Sequence, residues 1–107
     1  MPSEQEDRAL LERVWVWHHQ RANGSICIAL DVRMLFPSYA DAAEYTRKAL
    51  AKVAEIESEI ALEQQVISWL SSDSSMRSMY AQRTLERLQA ALAQARRGMK
   101  EGVCVKN

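Results

Sequence analysis

The chain has 107 residues and a mass of 12.2 kDa, enough for one domain and too short for two of ordinary size. Its 14 basic and 14 acidic side chains leave a formal net charge of zero, which argues against a dedicated nucleic-acid coat protein or a polybasic membrane binder. Hydrophobic residues make up 48% and Gly and Pro are rare, so we expect a globular fold with long helices rather than a disordered chain.

A capping box predicts the first helix. Ser3 is followed three residues later by Glu6, so each side chain can satisfy the backbone N–H of the other residue. A helix over residues 4–12 follows from this start, with Leu10 and Leu11 turned inward.

A β-hairpin is predicted over residues 13–36. Asn23-Gly24 is a strong hairpin signal, because a type I′ turn needs positive φ at both of its central residues. Large apolar side chains then occupy every second position from Ile26 to Phe36, and this period of two predicts one continuous strand.

The predicted turn also sets the register of the hairpin. A two-residue turn at Asn23-Gly24 would pair Trp17 with Leu30 and place Trp15 beside Trp17 on one apolar face. The alternative is a helix over residues 3–21, which would make the protein nearly all-α with three helices.

Two long helices are predicted in the rest of the chain. Ser38 is suited to cap a helix over residues 38–71, which has no internal Gly or Pro after its start and would be roughly 50 Å long. A serine-rich break separates it from a helix over residues 74–98, and residues 99–107 are predicted as a flexible tail.

Charge distribution predicts that these two helices pack as an antiparallel hairpin. Residues 1–76 carry 7 basic and 12 acidic side chains, a net charge of −5, whereas residues 77–107 carry 7 basic and 2 acidic, a net charge of +5. An antiparallel alignment would bring Glu63 near Arg83 and Glu59 near Arg87. The predicted class is therefore α+β: a short helix, a β-hairpin and a long two-helix hairpin in a single domain over residues 1–107.

The cysteines and the chain start predict a cytoplasmic protein. Cys27 and Cys104 lie 77 positions apart and outside any metal-ligand spacing, so we expect free thiols in a reducing compartment. The acidic N-terminus lacks the apolar core of a secretory signal. No apolar stretch reaches the roughly 20 residues that a membrane span needs.

No arrangement of residues indicates catalysis. His18 and His19 are adjacent, so their side chains diverge on a strand or on a helix and cannot chelate one ion together. A metal site would need Cys27 or Asp31 from a neighbouring strand, and no phosphate-binding loop or nucleophile motif is present. We therefore expect no enzyme activity, no metal and no cofactor.

Surplus aromatic and methionine side chains instead favour a partner protein. Such residues are enriched in the centres of interfaces, and the tip of a helical hairpin is poorly placed to bury several of them. A homodimer is expected, because a two-stranded hairpin and an over-long helix both need additional cover. The predicted partner-binding residues are Trp15, Trp17, Trp69, Met76, Met79 and Tyr80.

Two stretches carry a resemblance to a known family. They are Val14-Trp15-Val16-Trp17-His18-His19 and Phe36-Pro37-Ser38-Tyr39-Ala40-Asp41. With the length of the chain and its two long helices, they resemble the QslA-type antiactivators of quorum sensing. That resemblance implies a bacterial protein that binds the ligand-binding domain of a LasR-like receptor and blocks its dimerisation, without catalysis or cofactor.

The sequence thus favours a small regulatory protein that binds a transcription regulator and blocks its dimerisation or its DNA binding. One alternative is a structural or chaperone subunit of an assembly. Another is a nucleic-acid-binding module that uses the arginine-rich third helix, although the lack of net positive charge makes nucleic acid the less favoured partner. The residues of that module would be Arg83, Arg87, Arg96, Arg97 and Lys100.

Overall fold

Six helices and strands occur in the part of the chain that the computed structural model describes: residues 3–29, 33–70 and 75–103, without the side chains of residues 75–78. The predicted α+β class is confirmed. The elements in chain order are α1 (Glu4–Val14), β1 (His18–Gln20), β2 (Ile26–Ala29), β3 (Arg33–Phe36), α2 (Tyr39–Trp69) and α3 (Ser75–Ala95).

The predicted caps begin α1 and α2. The Ser3 hydroxyl accepts a hydrogen bond from the Glu6 backbone N–H at 3.2 Å, and the Ser38 hydroxyl accepts one from the Asp41 N–H at 3.4 Å. Helix α1 ends at Val14 because Trp15 adopts extended backbone angles, φ −96° and ψ 137°. The alternative of one helix over residues 3–21 is therefore wrong.

The apolar run from Ile26 to Phe36 forms two strands, not the one continuous strand that was predicted. Strands β2 and β3 pair antiparallel, with Ile26 opposite Phe36 and Ile28 opposite Met34. Even-numbered residues therefore pair with even-numbered residues and lie on the same face of the sheet in both strands. The apolar alternation of period two is then the same as it would be in one continuous strand. Periodicity alone does not distinguish a long strand from this hairpin. The sheet has the order β1-β2-β3.

The register of β1 differs from the prediction by one residue. His19 lies opposite Cys27 rather than opposite Ile28. Gly24 has a φ of +90° while Asn23 does not have a positive φ, so the turn is not type I′. Instead the Gly24 N–H donates to the Arg21 carbonyl and the Arg21 N–H donates to the Ser25 carbonyl, as in a hairpin with a three-residue loop.

Contacts divide the described residues into two compact units. The sheet unit comprises the described residues up to Ala51 together with those from Arg97 onward. The helical unit comprises Lys52 to Arg96. Each unit is described separately below.

Trp15 occupies the core of the sheet unit. Its side chain is only 2% exposed, its ring stacks on Tyr45 at 6.1 Å, and its indole N–H donates to the Thr46 hydroxyl at 2.8 Å. The Thr46 hydroxyl in turn donates to the Ala42 carbonyl at 2.7 Å. The other fully packed members of this core are Leu11, Val14, Ile26, Ile28, Tyr39, Ala42, Ala43 and Leu50.

A partly buried ion pair makes a second connection between α1 and α2, with the Arg47 side chain 46% exposed. The Asp7 carboxylate, whose side chain is 6% exposed, accepts a hydrogen bond from the Arg47 guanidinium at 2.8 Å. Because a buried carboxylate without a partner is costly, this contact fixes one pairing of the two helices.

The predicted flexible tail is wrong as far as Val103. Gly98 has a φ of +78°, and its carbonyl accepts a hydrogen bond from the Val16 N–H at 2.9 Å. The Lys100 N–H donates to the Val14 carbonyl at 2.7 Å, so Met99 forms an isolated antiparallel bridge with Trp15. Met99 and Val103 also pack against the core. Residues 104–107 lie outside the described residues.

The helical unit buries few large side chains. Val53, Ile56 and Ala81 are its buried hydrophobic residues among those described. Beyond Ala81, an apolar stripe along α3 is only half-buried; it comprises Leu85, Leu88, Leu92 and Ala95.

An ion pair that was not predicted joins α2 and α3. Arg96 contacts the Glu57 carboxylate at 2.6 Å. The two predicted pairs, Glu63 with Arg83 and Glu59 with Arg87, do not form among the described side chains. Exposed ion pairs are too weak to select a register.

Replacing Thr46 by Val should destabilise the fold by about 1–3 kcal/mol, because the buried Trp15 N–H loses its acceptor. Urea denaturation followed by circular dichroism measures this loss. Thr84→Val is the matched control, since Thr84 also donates to the carbonyl four residues earlier but is exposed. We expect the control to change stability by less than about 0.5 kcal/mol; equal losses in the two variants would contradict the role of Thr46.

Replacing Arg47 by Met should cost about 1–3 kcal/mol, because the buried Asp7 carboxylate is left without its cation. Lys48→Met is the control, since Lys48 pairs with Glu44 at 3.4 Å on the solvent-exposed side of the same helix. The control should change stability by less than about 0.5 kcal/mol in the same denaturation assay. A loss as large for Lys48→Met as for Arg47→Met would show that burial of Asp7 is not decisive.

Candidate partner-binding surfaces

Trp15 is not available to a partner. The prediction grouped it with Trp17 on one face of the hairpin, but Trp15 precedes β1 and lies in the core of the sheet unit. Trp17 is 44% exposed, and it stacks on His19 at 6.0 Å. The two tryptophans therefore do not form a joint surface.

Three of the predicted residues lie exposed in the helical unit. Trp69 is 73% exposed at the end of α2, and Met79 and Tyr80 are 57% and 65% exposed near the start of α3. The side chain of Met76 lies outside the described residues. The structure thus places a set of large apolar side chains in water where α2 ends and α3 begins.

Two further exposed residues extend this set, and neither was predicted from the sequence. Leu62 and Val66 are 61% and 38% exposed, and with Trp69 they follow the spacing i, i+4, i+7 of one helix face. Of the three residues on this face of α2, only Trp69 was predicted from the sequence. Leu62, Val66, Trp69, Met79 and Tyr80 together are called the helical-tip surface.

A second surface is a groove on the outer face of the sheet. It has a volume of about 330 Å³, and Cys27 forms its buried floor between His19 and the 55% exposed Leu35. Its remaining lining residues are Trp17, Arg21 and Arg33. The lining combines apolar side chains with cations, and no carboxylate of the described residues belongs to it.

His18, His19 and Cys27 were the candidates for a metal site. Among the described residues, no group of three or more His, Cys, Asp or Glu side chains is placed to hold a metal ion. Cys27 is a buried free thiol whose strand neighbour is His19, whereas His18 lies opposite Ile28 on the inner face. Cys104 and Asp31 lie outside the described residues.

His18 is held in its neutral form more firmly than an exposed histidine. Burial lowers the pKa of His18 below its ordinary value of 6.5, since it penalises the charged imidazolium. The Glu12 carboxylate acts in the opposite direction and raises the pKa, while the cations of Lys100 and Arg8 lower it further.

The basic residues proposed for nucleic acid are partly engaged. Arg96 is paired with Glu57, and the Lys100 ammonium donates to the Glu12 carbonyl. Arg83 and Arg87 are exposed on α3. These contacts reduce the cationic surface open to phosphate, so they do not favour the nucleic-acid alternative.

Comparison with known proteins found no family model, no curated protein and no solved structure that matches the chain. No helix in the described ranges combines the length and the apolar character that crossing a membrane requires.

Protonation of His18 should destabilise the fold. Because the pKa of His18 is lower in the folded than in the unfolded chain, stability is complete above about pH 6.5 and falls as pH decreases through the folded-state pKa. The urea midpoint of wild type should be lower below pH 6.5 than above it, and this difference should be smaller in His18→Gln. His19→Gln, altered on the opposite face, should retain the decrease; an unchanged pH dependence in His18→Gln would contradict this assignment.

Proposed function

We propose that the chain is a small, non-catalytic, cytoplasmic regulator that binds a partner protein through the helical-tip surface. The observation that carries the proposal is the exposure of Trp69, Tyr80 and Met79 together in one small unit. Large aromatic side chains supply much of the energy at interfaces, since each buries about 150–250 Å² when it is covered. A lone exposed apolar residue would need no explanation, but five in one unit favour a binding surface.

The pattern of the surface indicates the shape of the partner. Leu62, Val66 and Trp69 form a stripe along one face of α2, which is how one helix packs against another or into a helix-lined groove. The half-buried leucines of α3 support the same conclusion, because the helical unit has apolar area that its own core does not cover. We therefore propose a partner that presents a helical, apolar surface.

Dimerisation surfaces of transcription regulators fit that description. The resemblance to QslA-type antiactivators supports a LasR-like receptor as the partner. Binding there would block receptor dimerisation, and with it DNA binding, by competition for one surface. This mechanism requires no catalysis and no cofactor.

A second copy of the chain is the other occupant that the same surface could accept. A homodimer would bury Trp69 and Tyr80 against their counterparts, and the partner protein would then compete with self-association. Sedimentation equilibrium over a range of concentrations measures this step. The regulator proposal expects the heteromeric complex to replace any homodimer.

The test uses full-length chain and the ligand-binding domain of a LasR-like receptor. Wild type should convert the receptor dimer to a mixed complex in sedimentation velocity, whereas the double variant Trp69→Ser with Tyr80→Ser should not. Loss of two aromatic anchors of an interface should weaken binding by nearly a thousandfold, at about 2 kcal/mol for each. Far-UV circular dichroism checks that the variant retains its helices.

Val16→Ser is the control, because it removes a 67% exposed apolar side chain from the other unit at a position outside the groove. The control should bind as wild type does. Full activity of the helical-tip variant would overturn the choice of surface, and a receptor dimer unaffected by wild type would overturn the LasR-like partner. In that second case, nuclease-treated pull-downs with the wild type and both variants identify whether another regulator depends on Trp69 and Tyr80.

A further inference from the structure

The groove on the outer sheet face has a defined layout. The central row across the three strands is His19, Cys27 and Leu35, as the strand pairings require. Along β1, Arg21 lies two residues beyond the central row; along β3, Arg33 lies two residues before it. Because β1 and β3 run in the same direction, the two arginines stand at opposite ends of the groove.

The described lining of the groove carries positive charge. Arg21 and Arg33 are exposed, and neither forms an ion pair among the described residues. No acidic side chain of the described residues lines the groove. Its charge therefore complements an anionic ligand, in a chain whose overall charge is zero.

The middle of the groove is mostly apolar. Cys27 is buried beneath the central row, with the exposed Leu35 on one side of it and His19 on the other. The Trp17 ring stacks on His19 from the end of the groove where Arg33 lies. This part suits one apolar side chain of a ligand rather than a row of stacked bases, which would need further aromatic platforms. Cations at the two ends and an apolar centre favour a protein segment over nucleic acid.

We infer that this groove binds an extended acidic peptide segment in which two carboxylates flank one apolar side chain. The arginines are four residues apart along the strand direction, or about 13 Å, and two strands apart across the sheet, or about 9.6 Å, so their Cα atoms lie about 16 Å apart on a diagonal. In an extended peptide that follows this diagonal, residues i, i+2 and i+4 point to the same side and span about 13 Å, and the long arginine side chains cover the remaining distance. The ligand pattern is therefore Asp or Glu at i and i+4 with a large apolar residue at i+2.

This inference goes beyond the proposed function. It concerns the sheet unit, whereas the proposed regulator binds through the helical unit. The acidic segment belongs either to the same partner, which would then be held at two places, or to another protein. A negative binding result at one site does not affect the conclusion about the other site, because each test alters residues of only one unit.

The probe is a synthetic peptide, acetyl-Gly-Asp-Ser-Leu-Ser-Asp-Gly-amide, titrated into the full-length ¹⁵N-labelled chain and followed by NMR. We expect saturable shifts of backbone amides confined to β1, β2 and β3, with Cys27 and Leu35 among them. Replacing both Asp of the peptide by Asn should weaken binding about tenfold, since two charge-assisted hydrogen bonds are lost. Replacing its Leu by Ala should weaken binding about fivefold, by removing the apolar contact.

The protein variant is Arg21→Gln with Arg33→Gln, and its matched control is Arg83→Gln with Arg87→Gln, which removes the same charge from exposed positions of α3. The first should bind the peptide about tenfold more weakly, and the control should bind as wild type does. Equal weakening in both variants would show general charge attraction and overturn the site. Tighter binding of an oligothymidine at the same amides, or the absence of saturable shifts there, would overturn the peptide assignment.

Discussion

Burial of the Trp15 indole is the constraint on which the sheet unit depends. An indole N–H removed from water needs an acceptor, and the Thr46 hydroxyl provides it while donating its own proton to the Ala42 carbonyl. One hydroxyl therefore completes two hydrogen bonds inside the core. The same tryptophan ends α1 and forms the backbone bridge with Met99, so three separate parts of the chain meet at one residue.

The exposure of Trp17 follows from the burial of Trp15. The chain passes from the buried Trp15 to β1 with Trp17 and His19 on the outer face and His18 on the inner face. The inner position lowers the pKa of His18 by burial, and the outer position leaves Trp17 to form one wall of the groove. The turn between β1 and β2 is one residue longer than predicted, and this difference decides which side chains of β1 are exposed.

Local signals in the sequence predicted the elements well. Caps at Ser3 and Ser38 require only neighbouring residues, and the uninterrupted helical stretches of α2 and α3 come from propensity and periodicity. Features that depend on contacts between residues distant in the sequence were not predicted correctly. Alternation of period two is the same for one strand and for a hairpin whose pairs have equal parity, and Asn-Gly fits two kinds of turn.

The docking of residues 98–103 shows the same limitation. Nothing near Gly98 in the sequence indicates that its carbonyl accepts a hydrogen bond from Val16, because that contact joins the two ends of the chain. The candidate site residues were predicted only in part, and the reason is related. Composition identified Trp69, Met79 and Tyr80 as surplus apolar residues, but it could not separate them from Trp15, whose burial depends on an acceptor 31 positions away.

The two units differ in how completely they bury their own apolar side chains. The sheet unit encloses Trp15, Leu11 and Ile28, whereas the helical unit leaves much of its α3 stripe half-buried and the helical-tip surface open to water. This contrast is the physical basis for the proposal that the sheet unit is a self-sufficient core and that the helical unit offers a surface to a partner. Local stability should follow it, because opening free energies track buried apolar contact.

Amide hydrogen exchange, with and without the partner protein, tests that account most directly. In the free chain, amides around Trp15 in α1 and in the first half of α2 should exchange slowly, and those in the helical unit near Trp69 and Tyr80 should exchange faster. The partner should slow exchange in the helical unit and leave the core around Trp15 unchanged. Equal protection of both units in the free chain, or partner-induced protection that omits residues 62–69 and 79–92, would contradict it.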